Sequence, residues 1–137
     1  MAATTFLDTN ILIYSVDRAD SSKQETAIAL IAKHATNRTG VISTQVLQEF
    51  YSAATRKLGI TPDTAKKHLQ DLQIFDVVQV TQSMIEQGID VSTRHNISFW
   101  DGLIIAAAST AHATELLSED LNHGQDIEGI QIKNPFI

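Results

Sequence analysis

Short β-branched or apolar runs alternate along the 137 residues with longer stretches whose apolar positions recur at helical spacing. Thr4–Leu7 is the first short run and predicts a buried strand. Asn10–Val16 follows as a short helix and DRADSS as a polar loop. Ser21 or Ser22 then caps a second helix, in which Ala27, Ile28, Ile31 and Ala35 share a side. Gly40 releases a second strand, Val41–Ser43. From Thr44 to Leu58, the residues Val46, Leu47, Phe50, Tyr51, Ala54 and Leu58 form one helical face, and Gly59 ends it. Thr61-Pro62 combines an N-cap with a proline at the first helical position, and Leu69, Leu72 and Phe75 give that helix its stripe. Val77–Val80 is a third strand, and a helix runs from Thr81 to about Arg94. Ser98–Ala111 is apolar around nearly its whole circumference, which predicts a central helix; Leu116–Ser118 is a fourth strand and Ile130–Lys133 a fifth.

Strands alternating with helices or helix pairs predict an α/β architecture. We expect one domain over residues 1–137, with a mainly parallel central sheet of about four to five strands flanked by helices. No repeat, low-complexity segment or linker interrupts the pattern.

Composition narrows the chemistry. Cys is absent, which removes disulfides, thiolate metal ligands and thiol nucleophiles and suits a reducing cytosol, the expected location. The start, MAATTFLD, lacks the basic and apolar regions of a secretory signal, and no apolar run approaches the roughly 20 residues of a membrane span. The net charge of −6 has the wrong sign for a chain that holds nucleic acid by a basic face. An acidic chain acts on phosphodiesters only if its acids are concentrated to bind divalent cations, so their placement matters more than their number.

Asp8 ends the first strand, Glu49 lies in the second turn of the helix after strand two, Asp101 in the first turn of the apolar helix, and Asp120 two residues past strand four. In a parallel sheet these positions share one edge, where ligands bind. Each acid also has a plain structural reading. Asp8 fits an Asx-turn or N-cap, Asp101 completes a capping-box variant with Ser98, and Asp120, like its neighbour Glu119, fits a turn. Glu49 flanks the apolar face of its helix, so it needs either Arg56 or a cation as partner. Jointly the four describe a hard-oxygen site suited to Mg²⁺ or Mn²⁺. The five histidines are scattered without an H-x-x-x-H pair, which argues against zinc, and no phosphate-binding glycine motif is present. Trp100 is read as a core residue rather than a stacking platform. Arg56 and Lys57 form a solvated face that could also contact substrate phosphates.

The stretches FLDTNILIY, ISTQVLQEFY, FWDGLIIAAA and LLSEDLNHGQ, followed by NPF, resemble in order and spacing the PIN-domain ribonucleases, most closely the VapC-like toxins of type II toxin–antitoxin pairs. The resemblance spans nearly the whole chain. It implies a PIN-like domain with a metal-dependent endoribonuclease site at Asp8, Glu49, Asp101 and Asp120, supported by Thr9 or Asn10 and by Ser118. It further implies an antitoxin as partner and self-association as a homodimer. For the dimer the sequence adds only that the helices Val46–Leu58 and Pro62–Phe75 carry more apolar surface than one sheet face needs.

Three alternatives stand beside this reading. A haloacid-dehalogenase-type phosphatase would need a second Asp where Asn10 stands. A phosphorylation-receiver domain would need a phosphoacceptor Asp where strand three ends Val-Gln-Val-Thr. A catalytically silent PIN-like module that binds RNA or protein would be marked by missing acids, and all four are present.

Overall fold

β1 (Thr5–Leu7) is three residues long yet lies inside the sheet, because both neighbours are parallel to it and all three of its side chains are buried. The computed structural model of the protein describes residues 3–137. After β1 come α1 (Thr9–Val16), α2 (Ser21–Asn37), β2 (Gly40–Ser43), α3 (Thr44–Arg56), α4 (Pro62–Asp71) and a short 3₁₀ turn at Leu72–Ile74. β3 (Asp76–Val78), α5 (Gln82–His95), α6 (Phe99–Thr110), β4 (Glu115–Leu117), β5 (Asp126–Ile127) and β6 (Ile130–Lys133) complete the order. The strands lie in the sequence β3-β2-β1-β4-β6-β5, with every pairing parallel except that of β5 with β6.

From β1 the chain first builds outward to β2 and β3, then returns to place β4 on the other side of β1. This reversal creates a crevice at the carboxyl ends of β1 and β4, the place where open parallel sheets bind ligands. Asp8 follows β1 there and Ser118 follows β4.

The α/β reading of the sequence holds, as does the central position of α6: every residue from Gly102 to Ala108 is buried. α5 packs against α6 at unusually short range. A Cβ on Gly102 would lie 2.4 Å from the Gly88 carbonyl oxygen, and one on Gly88 would lie 3.0 Å from the Leu103 Cα. The two glycines thus let the helix backbones touch, which fixes the height at which α6 begins and Asp101 with it.

Several elements differ from expectation. Asp20, not Ser21 or Ser22, caps α2, its carboxylate accepting from the Lys23 N–H at 3.1 Å. α3 stops at Arg56, before Leu58. β3 spans Asp76–Val78 instead of Val77–Val80, because the Val80 N–H leaves the sheet for the Thr44 hydroxyl at 3.1 Å. β4 covers Glu115–Leu117, which places Ser118 just past the strand rather than in it. A sixth strand, β5, was not expected. It is joined to β6 by a two-residue hairpin whose central residues, Glu128 and Gly129, both have positive φ (54° and 82°), the turn that matches strand twist. Most of the apolar surface expected on Val46–Leu58 and Pro62–Phe75 is used within the fold, with Val46, Phe50, Ala54, Ala65 and Phe75 buried; Ile74, in the 3₁₀ turn after α4, is the large apolar side chain of these segments that stays exposed. No helix among the described residues is long and apolar enough to cross a membrane.

Candidate metal centre

Asp8 is delivered by β1 and held before it can relax. Its N–H donates to the Leu117 carbonyl at 3.0 Å, continuing the β1–β4 pairing by one residue. Its carboxylate caps α1 by accepting from the Thr9 N–H at 2.7 Å through Oδ1. The other oxygen, Oδ2, accepts the Ser118 hydroxyl at 2.7 Å and a long contact from Asn10 Nδ2 at 3.5 Å. The capping role is therefore real and does not exhaust the side chain. Burial pushes the Asp8 carboxyl up to about 7, against the hydrogen bonds from Ser118 and Thr9 and with the help of the charges on Asp120 and Glu49.

Asp101 arrives on the first turn of α6, whose N-cap Ser98 accepts the Asp101 N–H at 3.1 Å. Its carboxyl is also raised, chiefly by burial and further by Asp120 and Glu49, with the Ser98 hydrogen bond acting in the other direction. Asp120 comes from the loop after β4 and is exposed. Ser118 Oγ accepts the Asp120 N–H at 3.1 Å while donating to Asp8, and Asn10 Nδ2 donates to Asp120 Oδ2 at 3.2 Å. Asn10 Oδ1 in turn accepts the Glu119 N–H at 3.3 Å. Ser118 and Asn10 thereby stitch the ends of β1 and β4 together through the acids themselves.

One carboxylate oxygen from each of Asp8, Asp101 and Asp120 lies within 4.8 Å of the other two. No His joins this group among the described residues. Glu49 stands outside it. Its oxygens accept from Thr9 Oγ1 at 2.6 Å and Gln45 Nε2 at 3.2 Å, so neither Arg56 nor a cation is needed to satisfy it. Glu49 nevertheless faces the cluster closely enough to raise both Asp8 and Asp101. Arg56 and Lys57 lie further along α3, exposed and in no ion pair among the described residues. They share with Glu49 a hollow of about 420 Å³ rather than the acid cluster itself.

Two sets of residues escape a reading of the sequence. Gln45 is buried, and its amide nitrogen donates both to Glu49 and to the Trp100 carbonyl at 3.1 Å, linking α3 to the start of α6. Both partners are acceptors, which fixes the amide orientation. The four-residue spacing of Gln45 and Glu49 was the available signal. The second set is Lys23, Tyr14 and Glu119. Lys23 Nζ donates to Glu119 Oε2 at 2.7 Å and to the Tyr14 hydroxyl at 3.2 Å, and that hydroxyl donates to Glu119 Oε1 at 2.5 Å. These residues are far apart in the chain and carry no local signal.

The donor set fits a hard divalent cation. Three carboxylates converge, no Lys or Arg of the described residues pairs with them, and burial, with repulsion from Asp120 and Glu49, raises the carboxyls of Asp8 and Asp101.

The profile of the PIN domain family matches residues 5–125, and the chain belongs to that family. Comparison with functionally curated proteins by sequence gives no match. Among solved structures, the fold is similar to that of VapC20 of Mycobacterium tuberculosis, described as a sarcin–ricin loop cleaving toxin, at 20% identity and a TM-score of 0.70, over 85% of this chain and 90% of that one. It is also similar to a chain of VapBC2 from Rickettsia felis bound to a promoter DNA fragment (19% identity, TM-score 0.69, 96% and 98% covered). A third is a chain of DNA-bound VapBC from Salmonella typhimurium (17% identity, TM-score 0.68, 98% and 99% covered). At these identities the likeness is one of fold.

Proposed function

We propose that the protein is a divalent-metal-dependent endoribonuclease and the toxin of a toxin–antitoxin pair. The observation that carries this reading is the convergence of Asp8, Asp101 and Asp120 at the sheet reversal, with no Lys or Arg among the described residues paired to them. In this reading the three hold Mg²⁺ or Mn²⁺, which when bound activates water and offsets charge on the phosphate. Glu49, already engaged by Thr9 and Gln45, makes an outer contact through water. Thr9, Asn10 and Ser118 keep the acids in place, and Arg56 and Lys57 contact substrate phosphates. No side-chain nucleophile is required. PIN-family membership supports nuclease activity, and the description of VapC20 as a sarcin–ricin loop cleaving toxin supports RNA as the substrate.

The partner assignment rests on the VapBC complexes among the structural neighbours. An acidic pocket is a natural target for an Arg or Lys inserted by an antitoxin. The protein works in the cytosol and pairs with itself when alone; the exposed Ile74 after α4, with Ile85 and Ile89 of α5, offers apolar surface for such a contact.

The deciding experiment is RNA cleavage in Mg²⁺ by the wild type, Asp8→Asn and Asp101→Asn. Each substitution is expected to cost about a hundredfold or more, above the loss from disturbing groups that merely orient metal ligands, with folding retained. Full activity in either variant overturns the reading.

A further inference from the structure

Trp100, the chain's sole tryptophan, is not a core residue: it is 60% exposed although it belongs to the largely buried α6, next to Asp101. Burial of α6 begins only at Gly102, so its first turn emerges from the protein. The indole is braced rather than loose, because the Phe99 ring meets it edge-on with centroids 5.0 Å apart at 68°, and Gln45 holds the Trp100 carbonyl. An exposed indole beside candidate catalytic acids asks for an occupant.

The surroundings define one. Trp100 lines a hollow of about 330 Å³ with Gln45, Gln48, Glu49 and Ser52. Glu49 and Ser52 also line the adjoining hollow, which ends at Arg56 and Lys57. Gln45, Gln48, Ser52 and Arg56 recur at three- and four-residue spacing, so the two hollows run along one face of α3 for about 17 Å. The trough therefore has an aromatic face at one end, unpaired cations at the other, and Glu49 between them. The open wall of the first hollow is mostly apolar, and Gln45, Gln48, Glu49 and Ser52 add polar groups to it, a pairing that suits the flat face and hydrogen-bonding edge of a base.

We propose that Trp100 is a base-stacking platform and that the trough along α3 carries a single-stranded segment of RNA, with Arg56 and Lys57 on its phosphates. Stacking on an indole requires an unstacked base, so the preferred substrate is a loop or a single strand rather than a duplex. On a chain of net charge −6, these two cations are the local means of holding a backbone close to carboxylates. The proposal rests on the nuclease reading above and adds how the substrate is gripped.

Because Trp100 is the sole tryptophan, intrinsic fluorescence reports the platform directly. Wild-type protein in EDTA is titrated with a mixed-sequence oligoribonucleotide of about ten nucleotides. Affinities of Trp100→Ala, Trp100→Phe and the double variant Arg56→Ala/Lys57→Ala follow from anisotropy of the labelled oligonucleotide, and KM and kcat from cleavage in Mg²⁺. We expect saturable quenching in the wild type. Trp100→Ala should bind roughly tenfold to a hundredfold more weakly, with the loss in KM more than in kcat, and Trp100→Phe should recover most of it. The double variant should bind more weakly with a salt slope lower by about two phosphate contacts. If the wild type cleaves RNA while Trp100→Ala keeps both its affinity and its KM, the platform is refuted and the nuclease reading survives. If the wild type neither binds nor cleaves RNA, both fall. If Trp100→Ala changes the mass seen by light scattering but not RNA binding, Trp100 belongs to a contact between copies and the proposal is wrong.

Discussion

Asp8 and Glu119 stand at the ends of adjacent strands on the same sheet edge, and the chain treats them in opposite ways. Burial raises both carboxyls. For Glu119 the hydrogen bonds and charge supplied by Lys23 and Tyr14 outweigh burial, and its carboxyl ends below the ordinary value. For Asp8 the hydrogen bonds from Ser118 and Thr9 do not suffice, Asp120 and Glu49 add repulsion, and the carboxyl rises to about 7. Hydrogen bonds are present in both cases; the differences are burial, far deeper at Asp8, and a cation, present only at Glu119. Lys23 pairs with the acid outside the cluster, and no Lys or Arg among the described residues pairs with the acids within it. A local shortage of positive charge is what a site for an external cation looks like before the cation binds.

The comparison can be broken most forcefully at Asp8. A carboxyl raised from 3.8 to about 7 makes the folded state bind more protons than the unfolded state between those values. Metal-free stability therefore falls as pH rises through that window, and a shift of this size corresponds to roughly 4 kcal/mol. Asp101 acts with the same sign. Glu119 and Glu128 have depressed carboxyls, so their contribution is lost only as pH falls below the ordinary 4.5. His34, lowered mainly by burial, opposes Asp8 as pH falls below its ordinary 6.5. Asp8→Asn isolates the Asp8 effect. In EDTA the variant should melt above the wild type at pH 8, and the gap should narrow or close by pH 5. Equal melting temperatures at pH 8 would mean that Asp8 bears no such strain.

The metal supplies the next effect. An ion that binds only the folded site stabilises by mass action, about 2.7 kcal/mol at a concentration a hundred times its dissociation constant. Thermal scans should show the wild type gaining several degrees in Mg²⁺ or Mn²⁺ and losing them in EDTA, while Asp101→Asn gains little. Identical wild-type curves with and without the ions would leave the acid cluster without a ligand.

These contrasts were only partly legible in the sequence. The alternation of elements, the Thr61-Pro62 cap and the Ser98 cap could be read because each is a local preference that the fold obeys. Asp8 and Asp101 could be read because strand ends and first helical turns share an edge in a parallel sheet. β5 could not: two residues carry no periodicity, and Glu128 is an unusual occupant of a positive-φ turn position. Trp100 was misread because an apolar run implies burial along its whole length, whereas the first turn of α6 projects beyond the core. Glu49 was offered Arg56 as its neighbour along the helix, but Thr9, forty positions away, reaches it first. Lys23 and Glu119 are 96 positions apart, and nothing short of the fold brings them together.

The smallest expected effect lies at that pair. Lys23 and Glu119 keep 32% and 28% side-chain exposure, so solvent screens their attraction and its loss should be modest. The two partners should not be equivalent, however. Lys23 Nζ also lies 4.7 Å from the Tyr14 ring centroid and 5.6 Å from that of Phe136, and the two rings meet edge-on at 4.9 Å. Glu119→Gln leaves the ammonium with the Tyr14 hydroxyl and both aromatic faces. Lys23→Met leaves a carboxylate with Tyr14 alone, beside Asp120 and its neighbouring acids. Melting temperatures should therefore fall more for Lys23→Met than for Glu119→Gln, by a few degrees at most, and the double variant should lie above the sum of the two losses. Strict additivity would mean that the lysine does not neutralise Glu119, and the contrast with Asp8 would lose its second term.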